Sequence, residues 1–173
     1  MHLCGVEIFP QGFAAIVNLG TMPGMNMLAD IGNGTMNVMQ IVDNKPLERS
    51  LVTDKFGVGI CMKEIQKELS KENGEDIPEM LIEPLLRNGL QGRTDHTAKK
   101  VERIAKGYTE NIRKRLVDYG YKEGLVHLYV IGGGGCLLQN YSDLVEKAEV
   151  SFITDICANA KGYEILAEKK ARR

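Results

Sequence analysis

The spacing of apolar residues changes once along this chain, at Gly57-Val58-Gly59, and that change limits the folds open to it. Before it, apolar residues come in short runs broken by turn-forming clusters. Residues 27–31 form one run, ending in Asp30-Ile31-Gly32-Asn33-Gly34. Residues 35–42 resume it, with Met36, Val38 and Gln40 alternating against Thr35, Asn37, Met39 and Ile41. Asp43-Asn44-Lys45-Pro46 reads as a turn, and residues 47–53 as a further strand. Three strands joined by tight turns make an antiparallel meander. After residue 59 the period becomes helical. Ile60, Ile65 and Leu69 predict a helix ending near Asn73-Gly74, and residues 78–87 a second, shorter one. Residues 88–98 are polar and glycine-containing and read as an exposed loop. From Lys99 on, Val101, Ile104, Ala105, Tyr108, Ile112 and Leu116 recur at helical spacing and mark one buried face of a long helix.

A buried strand over residues 126–131 follows, then four glycines, a helix over 137–147, a strand over 150–153 and a final helix over 157–169 with a basic end. From residue 27 the order is β-β-β-α-α-α-β-α-β-α. With the three consecutive helices counted as one layer, this is β-β-β-α-β-α-β-α, the order of a ribonuclease-H-like α/β fold. The expectation is a mixed five-stranded sheet with helices on both faces. Residues 6–9, a β-prone run stopped by Pro10, and the helix behind it carrying Phe13, Ala14 and Val17, stand outside that order.

Composition excludes several classes. The chain has 173 residues, enough for one domain with a sizeable core. Lys+Arg of 22 against Asp+Glu of 23 gives a net charge of −1, which argues against direct nucleic-acid binding or a membrane-surface role. The longest apolar runs fall far short of the roughly 20 residues of a membrane span, and residues 1–20 lack a secretory signal pattern. Cys4, Cys61, Cys136 and Cys157 are scattered without a C-x-x-C pair, which points away from zinc or disulfides and toward the reducing cytoplasm.

Two stretches carry chemistry. In Asp30-Ile31-Gly32-Asn33-Gly34-Thr35, glycines between strands let backbone N–H groups approach a phosphate. An aspartate at the end of the first strand can hold hydrated Mg²⁺ or orient an attacking water. The same residues also suit a plain hairpin turn with positive φ at Asn33-Gly34. Ile131 is followed by Gly132, Gly133, Gly134 and Gly135 at the start of a helix, where a flat or anionic group can lie on bare backbone. A ligand-free close loop crossing is the alternative. A dinucleotide fingerprint would need glycine where Leu137 stands, and the chain contains no Gly-Lys pair for a P-loop. Cys136 and His127 read as packing residues, and His96 carries no signal.

Together, Asp30 to Thr35 and Val130-Ile131-Gly132-Gly133-Gly134-Gly135 resemble the second phosphate loop and the adenosine loop of the actin/Hsp70/sugar-kinase superfamily. Phe9-Pro10-Gln11-Gly12-Phe13-Ala14-Ala15 resembles its first connecting helix, and Asp155 to Tyr163 (DICANAKGY) its second. The "FPQG" start and the "ANAKGYE" ending look most like the plasmid-segregation actins of the ParM/StbA type. The resemblance implies that residues 1–20 are the end of a first lobe and its connecting helix, and residues 21–173 a second, nucleotide-binding lobe. It implies that Asp30 holds the water shell of Mg²⁺ or polarises the attacking water, and that Gln11 positions that water. Gly32, Asn33, Gly34 and Thr35 would cradle the β- and γ-phosphates of ATP, and Gly133, Gly134 and Gly135 the adenosine and α-phosphate. Asn33 stands where the family usually has glycine, and Asn37 where an acidic residue is frequent.

The family's first phosphate motif is missing, which implies the C-terminal half of a longer protein. The expected function is that of a bacterial actin-like ATPase that binds ATP and Mg²⁺ between two lobes and polymerises into filaments for plasmid segregation. Contact with plasmid DNA would be indirect, through an adaptor protein. The half-chain alone is expected to turn over ATP weakly or not at all. The alternatives are a stand-alone half-protein that regulates or caps filaments, and a small-molecule kinase of the same fold.

Overall fold

The alternating apolar residues of the first two strands sort onto opposite faces of one sheet in the computed structural model, which describes residues 8–155 and 157–171. β1 (Met25–Ile31) pairs antiparallel with β2 (Met36–Val42). Met27, Ala29, Ile31, Met36 and Val38 enter one core cluster, while Leu28, Met39 and Ile41 enter the other. Side chains alternate across a strand, so one pattern feeds two cores.

Beyond β2 the expected strand over residues 47–53 is split. β3 (Lys45–Pro46) and β4 (Val52–Asp54) each pair antiparallel with β2, and Glu48–Ser50 between them form a 3₁₀ turn. The Ser50 hydroxyl explains the break. Its Oγ accepts from the Gln40 amide at 2.8 Å and donates to the Leu47 carbonyl at 2.6 Å, taking the place of ladder bonds. The sheet therefore has six strands where five were expected.

The helices follow from their caps. α2 (Val58–Asn73) ends at Gly74, and α3 (Glu79–Asn88) follows Pro78. α4 (His96–Asp118) begins three residues before Lys99, where its periodic pattern was expected to start, because Asp95 caps it by accepting from the Ala98 amide at 3.0 Å. His96 thus opens a helix instead of lying in a loop, with Nε2 2.8 Å from Glu72 Oε1. β5 (His127–Ile131) and β6 (Val150–Ile153) complete the sheet. Between them α5 (Gly134–Tyr141) starts inside the glycine run and stops at Ser142, which caps a short 3₁₀ turn, Asp143–Glu146, by accepting from the Leu144 amide. The expected single helix over 137–147 is therefore two pieces. α6 (Ala158–Ala171) closes the order; Ile156, Arg172 and Arg173 lie outside the described residues.

Strand order is β3-β2-β1-β5-β6, with β1–β5 and β5–β6 parallel and β4 also on β2. α2, α4 and α5 bury one face of the sheet and α3 packs on α2 and α5. α1 (Phe13–Ile16) and α6 cover the other face. Of the β-prone run 6–9, Val6 and Glu7 lie outside the described residues, and Ile8 and Phe9 belong to no strand.

α1 and α6 cross backbone to backbone: a Cβ on Gly162 would overlap the Ala14 carbonyl. Gly162→Ala is expected to lower stability by about 1–3 kcal/mol, the cost of overpacking. Gly107, exposed in mid-α4 with open space around it, is the control: Gly107→Ala should stabilise by about 1 kcal/mol. Urea unfolding of both variants checks the pair.

Candidate functional site

β1 and β5 run parallel with Asp30 level with Ile131, so residues 32–35 and 132–135 leave the same end of the sheet side by side. That end, beyond the carboxyl ends of parallel strands, is where open α/β sheets take ligands. Asp30 sits there on the α1/α6 face, only 8% exposed. Burial raises its carboxyl from the ordinary value, and no hydrogen bond or ion pair among the described residues offsets this. Two glycines explain how a carboxylate fits. Gly12 has φ +83°, and a Cβ on it would lie 3.3 Å from Asp30 Oδ2. Gly132 has φ +82°, and a Cβ on it would lie 2.9 Å from Asp30 Oδ1. Each oxygen thus faces bare backbone in a conformation that side chains rarely adopt.

The 32–35 loop is shaped from behind by α2. Gly32 N–H donates to the Thr35 carbonyl at 2.8 Å. The Val58 and Gly59 amides, orphan donors at the start of α2, donate to the carbonyls of Gly32 at 3.0 Å and Asn33 at 2.8 Å. In a planar trans peptide the N–H points opposite to the C=O. The N–H groups of Asn33 and Gly34 therefore face away from α2, forming a concavity of the kind that binds anions. Asn33 and Gly34 both lack positive φ, so the plain Asn-Gly hairpin turn is excluded. That turn falls instead at Asp43 (φ 47°) and Asn44 (φ 67°), between β2 and β3. Asn37 lies opposite Asp30 across β1–β2, its Oδ1 accepting from Thr53 Oγ1 at 2.8 Å.

A cavity of about 580 Å³ opens beside this loop, within the range of small-molecule sites. Asn33, Gly132, Gly133 and Cys136 form one wall, and Glu79, Glu83 and Arg87 of α3 another. Val58, Met62, Leu86, Leu137 and Ile153 supply apolar surface suited to a flat ring, and Thr154 and Asp155 line the cavity beyond β6. Lys161, whose Nζ lies 2.6 Å away, and the Cys157 amide lower the Asp155 carboxyl from its ordinary value.

The structure thus gathers Asp30, Gly32, Asn33, Gly34, Thr35 and Gly133 at one end of the sheet. Gln11 is exposed beside Gly12, outside the cavity lining. Gly134 and Gly135 are buried and do not line the cavity: a Cβ on Gly134 would overlap Ile31, so this glycine serves helix–strand packing. Gly57 and Gly59, read from sequence only as a boundary, are the backstop of the loop. The α3 residues Glu79, Glu83 and Arg87 carried no sequence signal. Cys136 sits on the cavity wall, and His127 bonds Ser151 Oγ at 2.8 Å. Among the described residues no cluster of His, Cys, Asp or Glu could hold a metal by itself, and no helix is long and apolar enough to cross a membrane.

Among solved structures the chain is similar to an archaeal actin homologue, Ta0583, at 26% identity and TM-score 0.68, covering 94% of this chain and 55% of that one. It is similar to the 15-stranded ParM filament from Clostridium botulinum at 21% identity and TM-score 0.68, covering 93% and 52%. It is also similar to Bacillus thuringiensis ParM with ATP at 14% identity and TM-score 0.70, covering 94% and 55%. No protein-family model and no curated protein sequence matches it. The chain therefore has an actin-like fold of the ParM type, and spans about half the length of the structures it matches.

The buried Asp30 has a consequence for stability. Its raised pKa means the fold prefers the protonated form, so this contribution is present below the ordinary value of 3.8 and lost as pH rises through the raised one. Asp30→Asn is expected to raise the urea midpoint at pH 7, because it removes the buried charge while keeping the shape of the side chain. The gain should vanish near pH ~3, where both side chains are neutral. Unfolding curves at the two pH values check the sign.

Proposed function

We propose that this chain is the nucleotide-binding half of an actin-like ATPase of the ParM type, and that residues 1–20 carry the end of a first lobe and its connecting helix, residues 21–173 the second lobe. In the two-lobed protein, ATP lies in the cleft with its phosphates against Gly32, Asn33, Gly34 and Thr35. Its adenosine runs past Gly133 into the cavity under α3. The observation that carries this reading is Asp30: a buried carboxylate with no hydrogen-bond partner among the described residues, at the start of a loop whose Asn33 lines a cavity of about 580 Å³.

The residues present fit Mg²⁺. A lone carboxylate suits a cation that keeps most of its waters and takes its other ligands from phosphate oxygens. Asp30 would hold it through water, and the bound cation would neutralise charge developing on the phosphates. Asp30, driven upward by burial, accepts a hydrogen bond strongly and can orient the attacking water; Gln11, next to Gly12, positions that water from the first connecting helix. The peptide N–H groups of Asn33 and Gly34 stabilise phosphate charge without reorganising.

In the whole protein, ATP binding favours assembly into filaments that segregate plasmid DNA in the cytoplasm, and an adaptor protein makes the DNA contact. The solved ParM filament supports self-association, and the near-zero net charge of the chain supports an indirect contact with DNA.

Titrating the purified 173-residue chain with a fluorescent ATP analogue tests the site. Binding is expected to need Mg²⁺ and to weaken at least tenfold in Gly133→Val, with turnover weak or undetectable because half the cleft is missing. Binding indifferent to Mg²⁺ and to this substitution would overturn the site. Light scattering of the two-lobed protein tests assembly, and turnover of ATP only with a small-molecule acceptor, without assembly, would overturn the filament reading.

A further inference from the structure

We infer that Tyr108 is a positioning residue for the 32–35 loop, acting through Gly57 from α4, more than 70 residues away in sequence. The inference rests on reading that loop as the phosphate site. Gly57 is pressed so closely on the loop that a Cβ would overlap the Asn33 carbonyl, and would lie 2.6 Å from the carbonyl carbon of Gly34. It is the residue from which α2 starts, immediately before the Val58 and Gly59 amides that hold the Gly32 and Asn33 carbonyls. Whatever fixes Gly57 therefore fixes the direction of the loop's N–H groups.

Tyr108 does so. Its hydroxyl donates to the Gly57 carbonyl at 2.6 Å in a buried bond. Its ring stacks on Phe56, centroids 4.6 Å apart and planes at 12°. The Arg115 guanidinium lies 4.0 Å from the centroid of the same Phe56 ring. Tyr108 and Arg115 are seven residues apart, two turns or about 10 Å along α4, which leaves room for one ring between them. Arg115 Nη1 and Tyr119 Oη then both bond Asp54 Oδ2, at 2.6 and 2.7 Å. Two α4 side chains, Tyr108 and Arg115, and Tyr119 at its C-terminal cap thus grip the segment 54–57, and of these three the one that bonds the residue touching the loop is Tyr108.

Tyr108 is buried and does not line the cavity, so its test must read the loop and not activity alone. Tyr108→Phe keeps the stacked ring and removes the hydroxyl. Amide hydrogen exchange of the free chain is expected to speed up roughly three- to tenfold at Gly32, Val58 and Gly59, the size set by one lost hydrogen bond. The β5 amide of Leu128 should stay unchanged. Exchange equal to wild type at those three amides, or faster exchange spread evenly through β5, would overturn the inference. Nucleotide titration separates this from the functional reading. Where the wild type binds, Tyr108→Phe should weaken ATP by a similar factor and leave adenosine unaffected. Equal loss for both overturns the positioning role. A wild type that binds neither counts against the phosphate site, while the exchange result still decides the grip of Tyr108 on the loop.

Discussion

Asp30 is level with Ile131 because β1 and β5 run parallel in one register, and the site exists only in that register. A slip of one residue turns every side chain of a strand to the other face. It would send Asp30 into the apolar layer under α2, α4 and α5, and bring Ile31 out to meet Gly12. The register is held by apolar residues on both faces of β1, from Met27 and Ala29 on one side to Leu28 on the other. Burying side chains of this size contributes about 1.5–3 kcal/mol each. Two cores thus fix where one carboxylate stands, with no polar contact to it required.

The site itself works against the fold. Asp30 is buried beside two glycines that give it no donor, and desolvation disfavours its charged form. Only something entering from the open end of the sheet can offset that cost. The loop next to it shows the complementary choice. Its Gly32 and Asn33 carbonyls are used in capping α2, which turns the Asn33 and Gly34 amides toward a visitor. One element has surplus negative charge and the other surplus donors, which together suit a cation carrying phosphate.

Much of this was legible in the residues. The change from period two to period 3.6, the Asp-x-Gly-x-Gly-Thr stretch and the four glycines identified the sheet order and both loops. What escaped had local causes. Ser50 competes for the β2 ladder through its hydroxyl, which apolar alternation cannot report. Asp95 caps α4 ahead of its stripe, and Ser142 ends α5 before its stripe is exhausted. The glycine run looked uniformly ligand-facing, yet Gly134 is small because the Ile31 side chain lies against it, and Gly132 because the Ile31 carbonyl and Asp30 do. Identical residues do different work there, and only the packing tells them apart. The α3 wall was invisible because Glu79, Glu83 and Arg87 look like any solvated helix face.

The split third strand carries a lesson about how a chain like this can associate. β3 is two residues long and includes Pro46, which has no N–H to offer; a 3₁₀ turn separates it from the three residues of β4. The opposite border of the sheet, β6, has four residues. Among the described residues neither margin presents the long, flat row of unpaired backbone groups on which another chain's strand could grow. Copies that came together in order would have to do so through their side-chain surfaces, where contacts can be made and undone, and not by the near-permanent stitching of backbone that ends in amyloid.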